Sequence, residues 1–281
     1  MSLAVAGLWA RSLLSRNLRA GIPRLWAWES TKTVTLYFTG GPFLVPVSRR
    51  MPAGGDLPRA TLQALLAGPR VRTNLASAIP GGTQIRSLKV AGSVASLDLS
   101  GAFRDAHDVQ TAQTAIVDTL TELPGITSVV LNVEGTPLTG SNKRVHLLYY
   151  ASANGLVALP SKAVDPRSAL SEYLSGPIDP ELTNLPPDTR LLKYDYDPAK
   201  GFLSLNFTYT PALHELAVEK PERIRLALLG LIASLTQFSD VRAVQLDFEG
   251  HTRLGLGQCS DLLRTPQPRP ELLNDERLLG R

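Results

Sequence analysis

The sequence predicts an α+β protein of two tandem two-layer α/β sandwiches, each running approximately β-α-β-β-α-β. Three observations carry this reading. A leucine-rich run stopped by Gly-Pro occurs twice, "LLAGP" at 65–69 and "YLSGP" at 173–177. A long helical stripe occurs twice, with five apolar positions matched at a spacing of 115 residues. A closing strand ending in Glu-Gly also occurs twice, "ITSVVLNVEG" at 126–135 and "VRAVQLDFEG" at 241–250. The helical stripes need a common apolar sheet face to bury them, which favours helices layered on a small, mostly hairpin-connected sheet.

Each element has its own signal. "VTLYF" (34–38) and "HLLYY" (146–150) open β-rich runs. "LPRATLQALLAGP" (57–69) and "DPRSALSEYLSGP" (165–177) follow, with Pro58, Leu62 and Leu66 matching Pro166, Leu170 and Leu174. Proline near the first helical position costs no hydrogen bond, and glycine followed by proline ends the helix. Asp165 is a good N-cap for the second copy, whereas Asp56 stands one residue early in the first, so that cap is weaker or shifted. "SAIPGGT" (77–83) and "TNLPPDT" (183–189) are turns leading into hairpins. In those hairpins Ala95, Leu97 and Leu99 alternate with polar residues, as do Leu203, Leu205 and Phe207. The long helices carry Val109, Ala112, Ile116, Leu120 and Leu123 in one copy, and Ile224, Ala227, Leu231, Leu235 and Phe238 in the other. On the closing strands Val129, Leu131 and Val133, and then Val244, Leu246 and Phe248, should face inward. The expected organisation is a basic, apolar leader over 1–30, domains over 31–140 and 141–257, and a polar tail over 258–281. Residues 136–144 form the linker, and the tail contains proline and a short helical end.

Composition narrows the function. Hydrophobic residues make up 43% of 281 and charged residues 19%, which suits a chain with a real core. The 29 Lys and Arg include Arg11, Arg16, Arg19 and Arg24 in an N-terminal arm free of acids. Without them 25 basic residues face 25 acidic ones, so the rest is formally neutral. A clustered basic face for phosphate contact is therefore not expected, and no nucleic-acid partner is predicted. The apolar run Leu3–Ala10 falls far short of the ~20 residues a membrane-spanning helix needs, and its arginines follow it, unlike those of an export signal. Trp9, Trp26 and Trp28 all lie in this arm. It reads either as a membrane-touching segment or export remnant, or as a disordered leader or misplaced start. A single cysteine, Cys259, excludes a disulfide framework within the chain.

Reactive constellations are scarce. His107, His146, His214 and His251 lack metal-site spacing, and there is neither a GxSxG nor a GxxxxGK[ST] motif. "GLGQCS" (255–260) reads as a turn without a following helix. Glu134 and Glu249 match across the copies, each before a glycine. They are candidate carboxylates for a shared site, or solvated strand-end residues. Asp98 has Asn206 as its counterpart. Tyr194 and Tyr196 alternate in the second copy alone, as a stacking pair for nucleic acid or sugar or as cross-strand packing. No catalytic residue, cofactor or metal is expected.

Several separated motifs resemble the GerMN domain, named for a bacterial sporulation and spore-germination protein. They are "VTLYF…VPVSRR" (34–50), "LQALLAGP" (62–69), "LASAIPGGTQIRSLKVAGSVASLDLS" (75–100) and "DTLTELPGITSVVLNVEGTPL" (118–138). "YLSGP", "LPPDTRLLKYDY", "SLNF" and "SLTQFSDVRAVQLDFEG" extend the resemblance, more loosely, to the second copy. The resemblance implies a fold similar to ring-building motifs and a non-enzymatic envelope protein. Its expected setting is extracytoplasmic or membrane-associated. Its expected partners are envelope or sporulation-complex proteins, the chain itself included, with membrane contact through the leader. The alternatives are a peptidoglycan or carbohydrate-binding module using Tyr194 and Tyr196, and a cell-wall hydrolase using Glu134 or Glu249. Pro187 and Asp188 replace the glycines of "SAIPGGT", so the two copies need not bind the same partner.

Overall fold

The first copy opens on a hairpin, so its element order is one strand longer than the sequence suggests. The protein is described here from a computed structural model covering residues 30–70, 74–140, 142–250, 256, 259–277 and 279. β1 (Thr31–Gly40) turns back as β2 (Phe43–Pro52). α1 (Leu57–Leu66) is capped by Asp56, whose carboxylate accepts the Arg59 N–H at 3.1 Å, so the cap is shifted and Pro58 sits at the second helical position. β3 (Ile85–Ala91) and β4 (Val94–Leu99) form the second hairpin, followed by a 3-10 turn at Gly101–Asp105. α2 (Val109–Thr121) crosses to β5 (Ser128–Val133), which lies parallel to β4 and turns into β6 (Thr136–Pro137).

The second copy repeats this plan with β7 (Leu147–Ser152), β8 (Gly155–Pro160), α3 (Pro166–Ser175), β9 (Leu191–Asp197) and β10 (Phe202–Phe207). Asp165 and Ser168 cap α3 reciprocally. Where the first copy has a 3-10 turn, the second inserts α4 (Pro211–Glu219). Pro221, which has no N–H to donate, then opens α5 (Pro221–Leu235). β11 (Ala243–Phe248) closes the copy. α6 (Ser260–Arg264) then follows "GLGQCS", a helix absent from the sequence reading, and β12 (Gln267–Pro268) pairs with β11. The N-terminal arm over 1–29, with its membrane and export readings, lies outside the described residues, as does His251. No helix among the described residues is long and apolar enough to cross a membrane.

Among the described residues, three four-stranded sheets result. The orders β3-β4-β5-β6 and β12-β11-β10-β9 belong one to each copy, while β1-β2-β8-β7 is built from both opening hairpins. The copies are thus joined through a common central sheet. Every position assigned inward on β4, β5, β10 and β11 is buried, as are all the stripe residues except the half-buried Val109. One apolar core runs continuously through both copies, and Tyr37, Tyr149, Leu156, Ala115 and Ala233 form a second cluster.

Candidate functional site

Glu134 and Glu249 occupy the same backbone state. Both have φ +52°, and the glycine after each has φ +77°. These left-handed pairs make a two-residue turn of type I′, closed in the first copy by Val133 opposite Thr136. The Gly135 N–H donates to Asp98 Oδ1 at 2.9 Å, and the Gly250 N–H donates to Asn206 Oδ1 at 3.0 Å. Asp98 and Asn206 therefore do the same job with the same atom, which makes their mismatch as acids irrelevant. The Glu134 carboxylate lies against Gly101. The structure puts the two glutamates in turns at the ends of strands that belong to different sheets.

Tyr194 and Tyr196 share one face of β9, opposite Leu205 and Leu203. The Arg167 guanidinium sits 4.9 Å from the centre of the Tyr194 ring. The Tyr196 hydroxyl donates to Asp240 Oδ2 at 2.6 Å, and this bond to a carboxylate pushes the phenol pKa up to about 12. His146 stacks on Phe238 at 4.1 Å, and His214 Nδ1 lies 2.9 Å from the Tyr209 hydroxyl. Among the described residues no group of three or more His, Cys, Asp or Glu is placed to hold a metal.

The densest polar arrangement lies between the copies. Tyr37 and Tyr149, equivalent residues of the two opening hairpins, meet hydroxyl to hydroxyl at 2.9 Å. Their backbone N–H groups, on the outer strands of the central sheet, donate to the equivalent hydroxyls of Thr119 (3.1 Å) and Ser234 (2.9 Å). These helix side chains satisfy sheet edges that would otherwise be open. The Glu122 carboxylate accepts from the Tyr37 and Tyr149 hydroxyls at 3.1 and 3.3 Å, from Arg144 at 2.9 Å and from Arg269 at 2.9 and 3.0 Å. Burial pushes the Tyr149 phenol up to about 12. It also raises the nearby Asp118 carboxyl to about 7, with Arg144 opposing the shift and Glu122 adding to it.

The tail seals the same junction. β2 and β8 pair at Leu44 opposite Ala158. Beyond that point Asn274 bridges them, donating to Pro46 O (2.7 Å) and Leu156 O (2.9 Å) and accepting the Leu156 N–H (2.8 Å). Glu276 forms a buried ion pair with Arg49 at 2.9 Å and also accepts the Arg70 N–H. The segment read as a polar tail is therefore an internal strap. On the junction lies a cleft of about 480 Å³, lined by equivalent residues of both copies, among them Val45 with Val157 and Leu75 with Leu182. The spacing of 112 between the opening tyrosines signals the junction in the sequence, whereas the tail carries no such repeat.

Comparison with known proteins accords with this architecture. The tandem GerMN domains of the sporulation protein GerM from Bacillus subtilis match with a TM-score of 0.63 at 18% identity, over 88% of this chain and 99% of that one. At that identity the likeness establishes the fold. The first GerMN domain of the same protein matches with a TM-score of 0.32 and 18% identity, over 40% of this chain and 97% of that one. A search of functionally characterised proteins returns no significant match. The model of the Germane family, described as sporulation and spore germination, matches residues 35–139 and again 147–254. With both matches accounting for most of its length, the chain belongs to the Germane family of sporulation and spore germination and carries its domain twice.

Proposed function

We propose that this chain is a non-enzymatic assembly protein of the cell envelope, acting in sporulation or spore germination by packing against other envelope proteins. Family membership supports the biological setting. The mode of action rests on one observation: each copy presents the outer strand of its own sheet, β3 or β9, the residues of β3 mostly exposed and those of β9 exposed or half-buried. Backbone groups on such an edge are the standard template for strand addition by a partner. The acidic and aromatic residues that resemble chemistry are engaged with the chain itself, through turn geometry at Glu134 and Glu249 and through Arg167 and Asp240 at the tyrosines. The extracytoplasmic or membrane-associated setting belongs to the same reading.

The test is chemical crosslinking in envelope extracts of the host, with the crosslinked partners identified by mass spectrometry. Crosslinks should join named envelope or sporulation-complex proteins to β3 or β9, and substitutions on those strands should remove them. A chain that crosslinks to no envelope protein would overturn the proposal. Clearing of a peptidoglycan zymogram that depends on Glu134 or Glu249 would do so from the other side.

A further inference from the structure

We infer that copies of this chain pair head to tail, with β3 of one molecule adding antiparallel to β9 of the next. The inference rests on the assembly reading and names its occupant as a second copy of the chain. Each strand is the outer member of its four-stranded sheet, so pairing would join two sheets into one of eight strands. Among the described residues, apart from the pairing with β4 and β10, no backbone hydrogen bond reaches either strand. Both strands carry a bulge at the equivalent place, Arg86 and Leu192, where their register with β4 and β10 shifts. Past the bulge, residues 87–91 and 193–197 pair with β4 and β10 in unbroken register.

Charge selects the partner. β3 carries Arg86 and Lys89 and no acid, whereas β9 carries Asp195 and Asp197 with a single Lys193. Setting Lys89 opposite Asp195 places Leu88 against Tyr196 and Val90 against Tyr194 on the core-side face. The same register puts Ser87 against Asp197 and Ala91 against Lys193 on the outer face. Val90 is 44% exposed without a partner, and aromatic against aliphatic is a favourable cross-strand pair. The Tyr196 bond to Asp240 and the Arg167 contact hold the two rings in place beforehand. Asp195 already pairs with Lys193 at 3.0 Å, but both side chains are mostly exposed, so the pair yields readily to Lys89. Pairing of like edges in the same register sets Lys89 against Lys89, or Asp195 against Asp195, and is disfavoured. Because the two edges differ, the contact is heterologous and propagates in one direction.

Sedimentation velocity on the full chain tests this. The mass should rise above 30.3 kDa with concentration, and added salt should reduce the effect because the charge pair is exposed. Lys89→Glu and Asp195→Lys should each weaken association about tenfold, the change expected when an attractive cross-strand pair becomes repulsive. An equimolar mixture of the two variants should recover association, since each supplies the edge that the other lacks. Circular dichroism checks that both variants fold. A chain that stays monomeric at every concentration, association that survives both reversals, or a mixture no better than either variant overturns the inference. A monomer that still crosslinks to named envelope proteins overturns self-pairing and leaves the assembly reading standing; one that crosslinks to none overturns both.

Discussion

Glu134 and Glu249 hold a conformation that a side chain with a Cβ adopts at a cost of about 1–2 kcal/mol. Asparagine tolerates the left-handed region better, so Glu134→Asn with Glu249→Asn should stabilise the fold by about 0.5–1 kcal/mol per site and raise the melting temperature. Thermal melts check this, and a loss of stability would mean that the carboxylates themselves support the fold. Gly230 makes the opposite case. In mid-helix, Gly→Ala ordinarily stabilises by about 1 kcal/mol. Here a methyl group would run into the carbonyl oxygen of Tyr149, so α5 could no longer lie against β7. Gly230→Ala should cost about 2–3 kcal/mol in urea unfolding, as overpacking against fixed backbone does; an unchanged midpoint would contradict the close approach. The sequence displayed the Glu-Gly repeat openly, yet its meaning was hidden because a carboxylate and a left-handed turn residue share one letter. Asp98 and Asn206 were illegible for the converse reason, since two letters share one acceptor atom.

At the scale of elements, the inward positions of β4, β5, β10 and β11 and the stripes of α2 and α5 were readable because burial there follows a period of two or of 3.6 residues. The opening hairpins were harder to read. β2 is "FLVPVSRRMP", with a proline inside the strand and an arginine, Arg49, that is buried. Arg49 is tolerated there because Glu276 neutralises it and the carbonyls of Ala64 and Gly68 accept protons from its two terminal nitrogens, although its Nε–H finds no partner. That partner lies 227 residues away, beyond the reach of any local pattern, which is why the tail looked solvated. Glu276→Ala should leave a buried, unpaired guanidinium and cost about 3–5 kcal/mol. Chemical denaturation measures this, and a loss below about 1 kcal/mol would show that the strap is dispensable.

At the scale of the whole molecule, the central sheet, the Tyr37–Tyr149–Glu122 cluster and the strap couple the two copies. Part of this coupling depends on pH. The Asp118 carboxyl has a folded-state pKa of about 7 against an ordinary 3.8, so the folded chain binds the extra proton. Its contribution is full below about pH 4 and is lost as pH rises through about 7, a change of up to about 4 kcal/mol. Asp118→Asn should flatten the stability profile between those limits, and a profile identical to that of the unchanged protein would contradict the assignment. The fixed placement of the β3 and β9 edges depends on the copies behaving as one unit. Hydrogen exchange with mass spectrometry on the full chain and on a chain ending at residue 268 tests this most directly. The account predicts similar protection for β1, β2, β7 and β8 in the full chain, and a loss of protection in all four when the strap is removed. Strands of one copy exchanging independently of the other, with β2 and β8 unchanged by the truncation, would contradict it.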